Sequence, residues 1–165
     1  MKTILYTGII MVFAATVGSI SVNAQRETEA GVAVERDLEL ARRDLQSEKK
    51  KIVAMNVPLT AEESTRFWPI YDQYTDEMRK VNDEFYNLIK DYVANQKVIT
   101  DAQGISMIKH WGDIQARQIA VRQRFIPQFE KVIPGKKVAV FFQIDRRLYA
   151  LMDLQISSQL PLISQ

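Results

Sequence analysis

The 165-residue chain has no cysteine. Disulfide staples, thiolate nucleophiles and cysteine metal clusters are therefore excluded, and stability has to come from packing alone. Histidine occurs once, as His110, too little for an imidazole metal site. With six glycines and five prolines the chain has sparse turn punctuation, and no stretch alternates in the manner of a hairpin strand. There is no glycine-rich phosphate loop. The carboxylate neighbours Asp76 with Glu77 and Asp83 with Glu84 are consecutive, so on a helix they point in different directions. No catalytic residue, metal ligand or cofactor site can be nominated, and the chain reads as a non-enzyme.

Long apolar runs are also missing, except at the start. After Lys2, residues 4–20 are apolar or small, and Val22-Asn23-Ala24 supplies small residues at the minus-three and minus-one positions. That pattern predicts a signal peptide over residues 1–24, cleaved after Ala24. Residues 25–32 then read as a mobile leader, and 33–165 as a single all-helical domain. Export makes nucleic acid an improbable partner, and cleavage leaves no stable membrane insertion.

What is present is helical periodicity. Phe67, Tyr71, Tyr74, Met78, Val81, Phe85, Leu88 and Tyr92 follow one another in alternating steps of four and three. This is a heptad seam, and the polar residues between its members predict a wet outer face. A helix over Leu59 to Gln96 would be about 50 Å long. It needs partner helices. Thr60 with Glu63, and Thr100 with Gln103, stand at the spacing of a capping box and mark two helix starts. Pro69 and Pro127 fall inside helical patterns, where each predicts a bend.

An earlier seam runs through Val34, Leu38, Ala41, Leu45, Glu48, Ile52 and Met55, with Lys49, Lys50 and Lys51 read as a solvated helix end. The third helical pattern carries Met107, Trp111, Ile114, Gln118, Val121, Phe125, Gln128 and Val132. It is widened by Ile105, Ile108, Ile119, Ile126, Phe129 and Ile133, a stripe broad enough for two neighbours. Pro134-Gly135 closes it. A fourth pattern spans residues 136–159, with Asp145 assigned to its wet face. The fold class is all-α, an elongated hairpin or bundle of about four helical segments with heptad-type packing.

Charge is divided unevenly. Residues 25–101 hold 12 basic and 16 acidic side chains, net −4, while 102–165 hold 9 basic and 4 acidic, net +5. A cationic second half predicts a basic face with apolar contacts among Arg117, Arg122, Arg124, Lys136, Lys137, Phe142, Arg146 and Arg147, able to draw in partly folded chains by charge and hold them by apolar contact. A competing reading makes Gln143, Asp145 and Arg147 a polar network between helices. The aromatics, Trp68 and Trp111 included, are equally consistent with bundle core.

Leu59-Thr60-x-x-Glu63 and Ile99-Thr100-x-x-Gln103 are degenerate forms of one motif, and with them the chain resembles the LTxxQ-motif family, the exported helical proteins of the Spy and CpxP type. A closer likeness lies in Phe67-Trp68-Pro69-Ile70-Tyr71-x-x-Tyr74 and in Lys136-Lys137-Val138-Ala139-x-Phe141-Phe142-Gln143-Ile144-x-x-Arg147-Leu148, which resemble a group of small exported bacterial proteins on the same helical plan. The resemblance implies a periplasmic helical homodimer that holds unfolded or partly folded envelope proteins without ATP. Two other roles remain open on the sequence: an adaptor binding the sensor domain of an envelope-stress kinase, and a purely structural helical element.

Overall fold

A computed structural model of the chain describes residues 48–163 together with Val32, Arg36 and Leu40. The expected signal peptide, the leader apart from Val32, and the early seam positions Val34, Leu38, Ala41 and Leu45 lie outside the described residues. Contacts divide the chain between Asp37 and Leu38. In the first unit, Val32 and Arg36 are helical and exposed. The second unit carries the helices named below.

Among the described residues the fold is all-α, without a strand. A helical stretch described over 48–56, here α1, is followed by α2 (Ala61–Asn95), α3 (Asp101–Glu130) and α4 (Gly135–Gln159). At 35 residues α2 is about 50 Å long. Both starts marked by threonine are capping boxes. Thr60 Oγ1 accepts from the Glu63 N–H at 3.2 Å and Glu63 Oε2 accepts from the Thr60 N–H at 2.8 Å. Thr100 and Gln103 repeat the exchange at 3.4 and 2.9 Å. Each satisfies two backbone donors that a helix start leaves open. Thr60→Ala and Thr100→Ala are each expected to lower stability by about 1 kcal/mol, with Ser at either position close to the parent; thermal unfolding followed by circular dichroism reads the difference.

Both helices run through their prolines. Pro69 and Pro127 are exposed, so the carbonyl that loses its partner faces water.

The seam of α2 is where the periodicity puts it: Phe67, Tyr71, Tyr74, Met78, Val81 and Tyr92 are buried, Phe85 and Leu88 half-buried. The pairs across to α3 fix an antiparallel hairpin. Arg117 meets Glu84, Gln118 meets Asn82, Arg124 meets Glu77, and Phe125 packs on Tyr74, so numbers rise on one helix as they fall on the other. α4 then runs parallel to α2: Lys137 reaches Glu63, Phe141 packs on Phe67, Asp145 accepts from Tyr74 and Tyr149 from Asn82. Beyond α4, the Pro161 carbonyl accepts from the Tyr92 hydroxyl. The α2 and α4 backbones stay farther apart than those of α2 and α3, and long side chains bridge the gap.

The core is aromatic. Phe67, Tyr74, Phe129 and Phe141 are fully buried, with ring centroids 4.7 to 6.1 Å apart at tilted or edge-on angles, the separations that favour aromatic pairs. Trp68 lies at the edge of this cluster, 5.1 Å from Phe67.

Two readings of the pattern need correcting. In α1 the buried positions are Lys49 and Val53, followed by Val57 just past the helix end, whereas Met55 is 78% exposed and Ile52 half-buried; the inward face is turned by one residue from the expected seam. In α3 the widened stripe meets both neighbours only at its C-terminal end, where Phe129 is buried against rings of α2 and α4 and Ile133 is buried beyond it. Ile105, Ile108 and Ile119 are 59%, 54% and 53% exposed, and Trp111 is exposed beside them.

Candidate functional site

Asp145 is the centre of the one charged cluster described inside the bundle. It stands in step with Val138, Phe141 and Leu148 on the buried face of α4, and its exposure is 0%. Neighbouring helices satisfy it. From α2, the Tyr74 hydroxyl donates to Oδ2 at 2.6 Å. From α3, Arg122 Nε donates to the same oxygen at 3.3 Å. From α1, Lys49 Nζ lies 2.6 Å from Oδ1, at an angle that makes the contact an ion pair rather than an aligned hydrogen bond. The Lys49 ammonium also sits 4.5 Å from the Tyr149 ring centre, with the Arg122 guanidinium 4.9 Å from that same ring. Two cations thus share one carboxylate and one aromatic ring.

Chemically this cluster is locked rather than reactive. Burial, and then the nearby Asp145 charge, push the Tyr74 phenol far above its ordinary range, so it stays a hydrogen donor. The arrangement joins four helices through one point, so a slip of any one helix would strand a buried charge.

The structure places the sequence-predicted basic residues in several environments. Arg117 donates to Glu84 from both terminal guanidinium nitrogens, Nη1 to Oε1 at 2.8 Å and Nη2 to Oε2 at 2.5 Å. Arg124 is paired with Glu77 at 2.9 Å, and Lys137 with Glu63 at 2.6 Å. Side-chain hydrogen bonds hold all three carboxyls below the usual range, from Lys137 at Glu63, from Arg117 at Glu84, and from Lys80 and then Arg124 at Glu77. Arg122 points inward to Asp145. Phe142 is half-buried against Tyr74 and Phe129. Lys136, Arg146 and Arg147 remain exposed. The charge division between the halves is thus spent in part on pairs between helices, where the acidic α2 and the basic α3 lie side by side. Each exposed pair is worth little alone, but together they disfavour a slipped register.

The polar network between helices exists with different members from those expected. Asp145 belongs to it; Gln143 and Arg147 are exposed. Lys49, Tyr74 and Arg122 complete it. A signal was present in the sequence: Asp145 continues the four-three spacing of Val138, Phe141 and Leu148, and a charge at a seam position demands a buried partner.

The second feature is the outward stripe of α3. Ile105, Ile108, Gly112, Gln115, Ile119 and Ile126 recur at heptad spacing, and the isoleucines among them are exposed. A Cβ added at Gly112 would meet nothing within 4 Å. Among the described residues no packing need explains a mid-helix glycine there, which costs about 1 kcal/mol relative to alanine.

Comparison with known proteins finds no matching family model, no matching curated protein and no matching solved structure.

Proposed function

We propose that the chain is an exported, ATP-independent chaperone-like binding protein of the periplasm, holding unfolded or partly folded envelope proteins in the manner of the Spy and CpxP type that it resembles. One observation supports this reading best: a row of isoleucines with Trp111 stands in water along α3, beside the charged side chains of Lys109 and Asp113. An apolar stripe rimmed by charge is the kind of surface an unfolded chain recognises. The contact face proposed is therefore the α3 stripe, with Lys136, Arg146 and Arg147 as exposed charges for steering, rather than the whole basic set.

The test is light scattering of an aggregating, chemically unfolded client, without nucleotide. Stoichiometric protein is expected to suppress the rise. The double variant Ile108→Asp, Ile119→Asp, whose sites are already wet, should keep its helicity and need about tenfold more protein for the same suppression. Suppression that is absent, or unchanged by the double variant, sinks the reading; tight one-to-one binding to a single sensor domain would favour the adaptor role.

Homodimerisation through the same stripe is the second reading, supported by its self-complementarity. Antiparallel pairing of two α3 helices about the point between Gln115 and Ala116 sets Ile105 opposite Ile126 and Gly112 opposite Ile119, a gap against a knob. Sedimentation equilibrium separates the two: a dimer that the double variant turns into a monomer with undiminished suppression assigns the stripe to assembly.

A further inference from the structure

A cavity of about 250 Å³ lies between α2 and α4; none of the exposed α3 isoleucines lines it, and the holding function does not use it. Phe85 and Ile89 of α2 and Leu148, Met152 and Ile156 of α4 supply its apolar wall. The gap between the two backbones creates it. An apolar cavity of about 150 Å³ is enough to take a benzene, so this one has room for a ring carrying a short chain.

The polar atoms on the lining decide which head group such a molecule should carry. Asn82 donates to the Tyr149 hydroxyl at 3.0 Å and accepts from Gln118 at 2.9 Å, so this corner is internally satisfied. The basic groups on the lining each have an acid: Lys50 has Asp72 at 2.7 Å, Arg79 has Asp76 at 2.9 Å, and Lys49 has Asp145 at 2.6 Å. An anionic ligand would have to break one of these pairs. Asp153 differs. It lines the cavity with its outer side in water, and among the described residues no basic group lies within ion-pair distance of it. Its carboxyl is raised above the usual range because the cavity wall strips its water, and the more distant Arg122 charge offsets this only in part. A cation placed there would restore what burial removes.

We propose that this cavity binds a small lipophilic amine, its apolar body against Phe85, Ile89, Met152 and Ile156 and its ammonium paired with Asp153. The aromatic lining, Tyr86 and Tyr149 included, suits a flat apolar body, while the cation goes to Asp153. The site is independent of the holding function proposed for α3, and its failure would leave that function standing.

The experiment uses three probes with one body and different heads, 4-phenylbutylammonium, 4-phenylbutanol and 4-phenylbutanoate, titrated calorimetrically into the full chain at pH 7. The amine is expected to bind about five- to tenfold tighter than the alcohol, and the carboxylate weakest. Asp153→Asn should erase the preference for amine over alcohol and leave alcohol binding unchanged. To place the site without relying on a variant, the methyl resonance of Met152 should shift on adding the amine while that of the distant, exposed Met55 does not. Absence of amine binding, equal affinity for the three heads, a preference that survives Asp153→Asn, or a silent Met152 methyl each overturns the proposal.

Discussion

Asp145→Asn is expected to lower the unfolding free energy by about 3–5 kcal/mol, or roughly 10–15 °C in melting temperature for a chain of this size. The amide keeps an oxygen for the Tyr74 hydroxyl, so the change isolates the charge. Lys49 is 7% exposed, and without a carboxylate its ammonium has neither water nor counter-ion. Arg122, with 24% of its side chain exposed, can reach outward along its aliphatic stem. The larger share of the loss therefore belongs to Lys49. Replacing Lys49 by Met, Tyr74 by Phe and Asp145 by Leu together removes every stranded polar group, and this triple variant should be more stable than Asp145→Asn alone. Thermal melts of the two variants form the comparison. If the single variant loses less than about 1 kcal/mol, water reaches the cluster and the register argument fails.

Phe141→Ala should cost a comparable 3–5 kcal/mol. Phe141 is fully buried and touches rings from two other helices: Phe67, Tyr71 and Tyr74 of α2 at 5.4 to 5.9 Å, and Phe129 of α3 at 4.7 Å. Deleting it opens a void where α2, α3 and α4 meet. Rings locked edge to face cannot shift to fill that space without losing their other contacts. The neighbour Phe142 is half-buried, so Phe142→Ala should cost clearly less, and Phe141→Leu should recover part of the loss. Urea titration reads all three through the midpoint at constant slope. Equal losses at 141 and 142 would mean that the aromatic cluster is not the centre of the core.

Much of this architecture is legible in the sequence because helices are local. The α2 seam follows from a 3.6-residue period, and the helix starts follow from threonine with a glutamate or glutamine three residues on. Those signals need only neighbours within a turn. The pattern misplaces the α1 face by one residue because lysine counts as polar in any pattern; Lys49 turns inward only when Asp145, almost a hundred positions later, is there to meet it. The basic residues of the second half look like one face for the same reason. Arg117, Arg124 and Lys137 look free until the acidic helix lies alongside, and Arg122 looks exposed until Asp145 is seen to be buried.

The α3 stripe shows the limit from the other direction. Periodicity reveals that its apolar band is wider than one partner needs, but it cannot say which edge of the band the other helices cover. The cavity beside Asp153 leaves no mark on the pattern, since it arises from how far apart α2 and α4 settle. By itself, then, the sequence determined the elements: an all-helical chain, where three of its helices begin, and which face of the longest is dry, because backbone hydrogen bonding and amphipathic period are properties of contiguous residues. Only the tertiary structure decided the pairings, namely which charges neutralise each other, which apolar residues stay wet and where a cavity remains, because those depend on contacts between residues tens of positions apart.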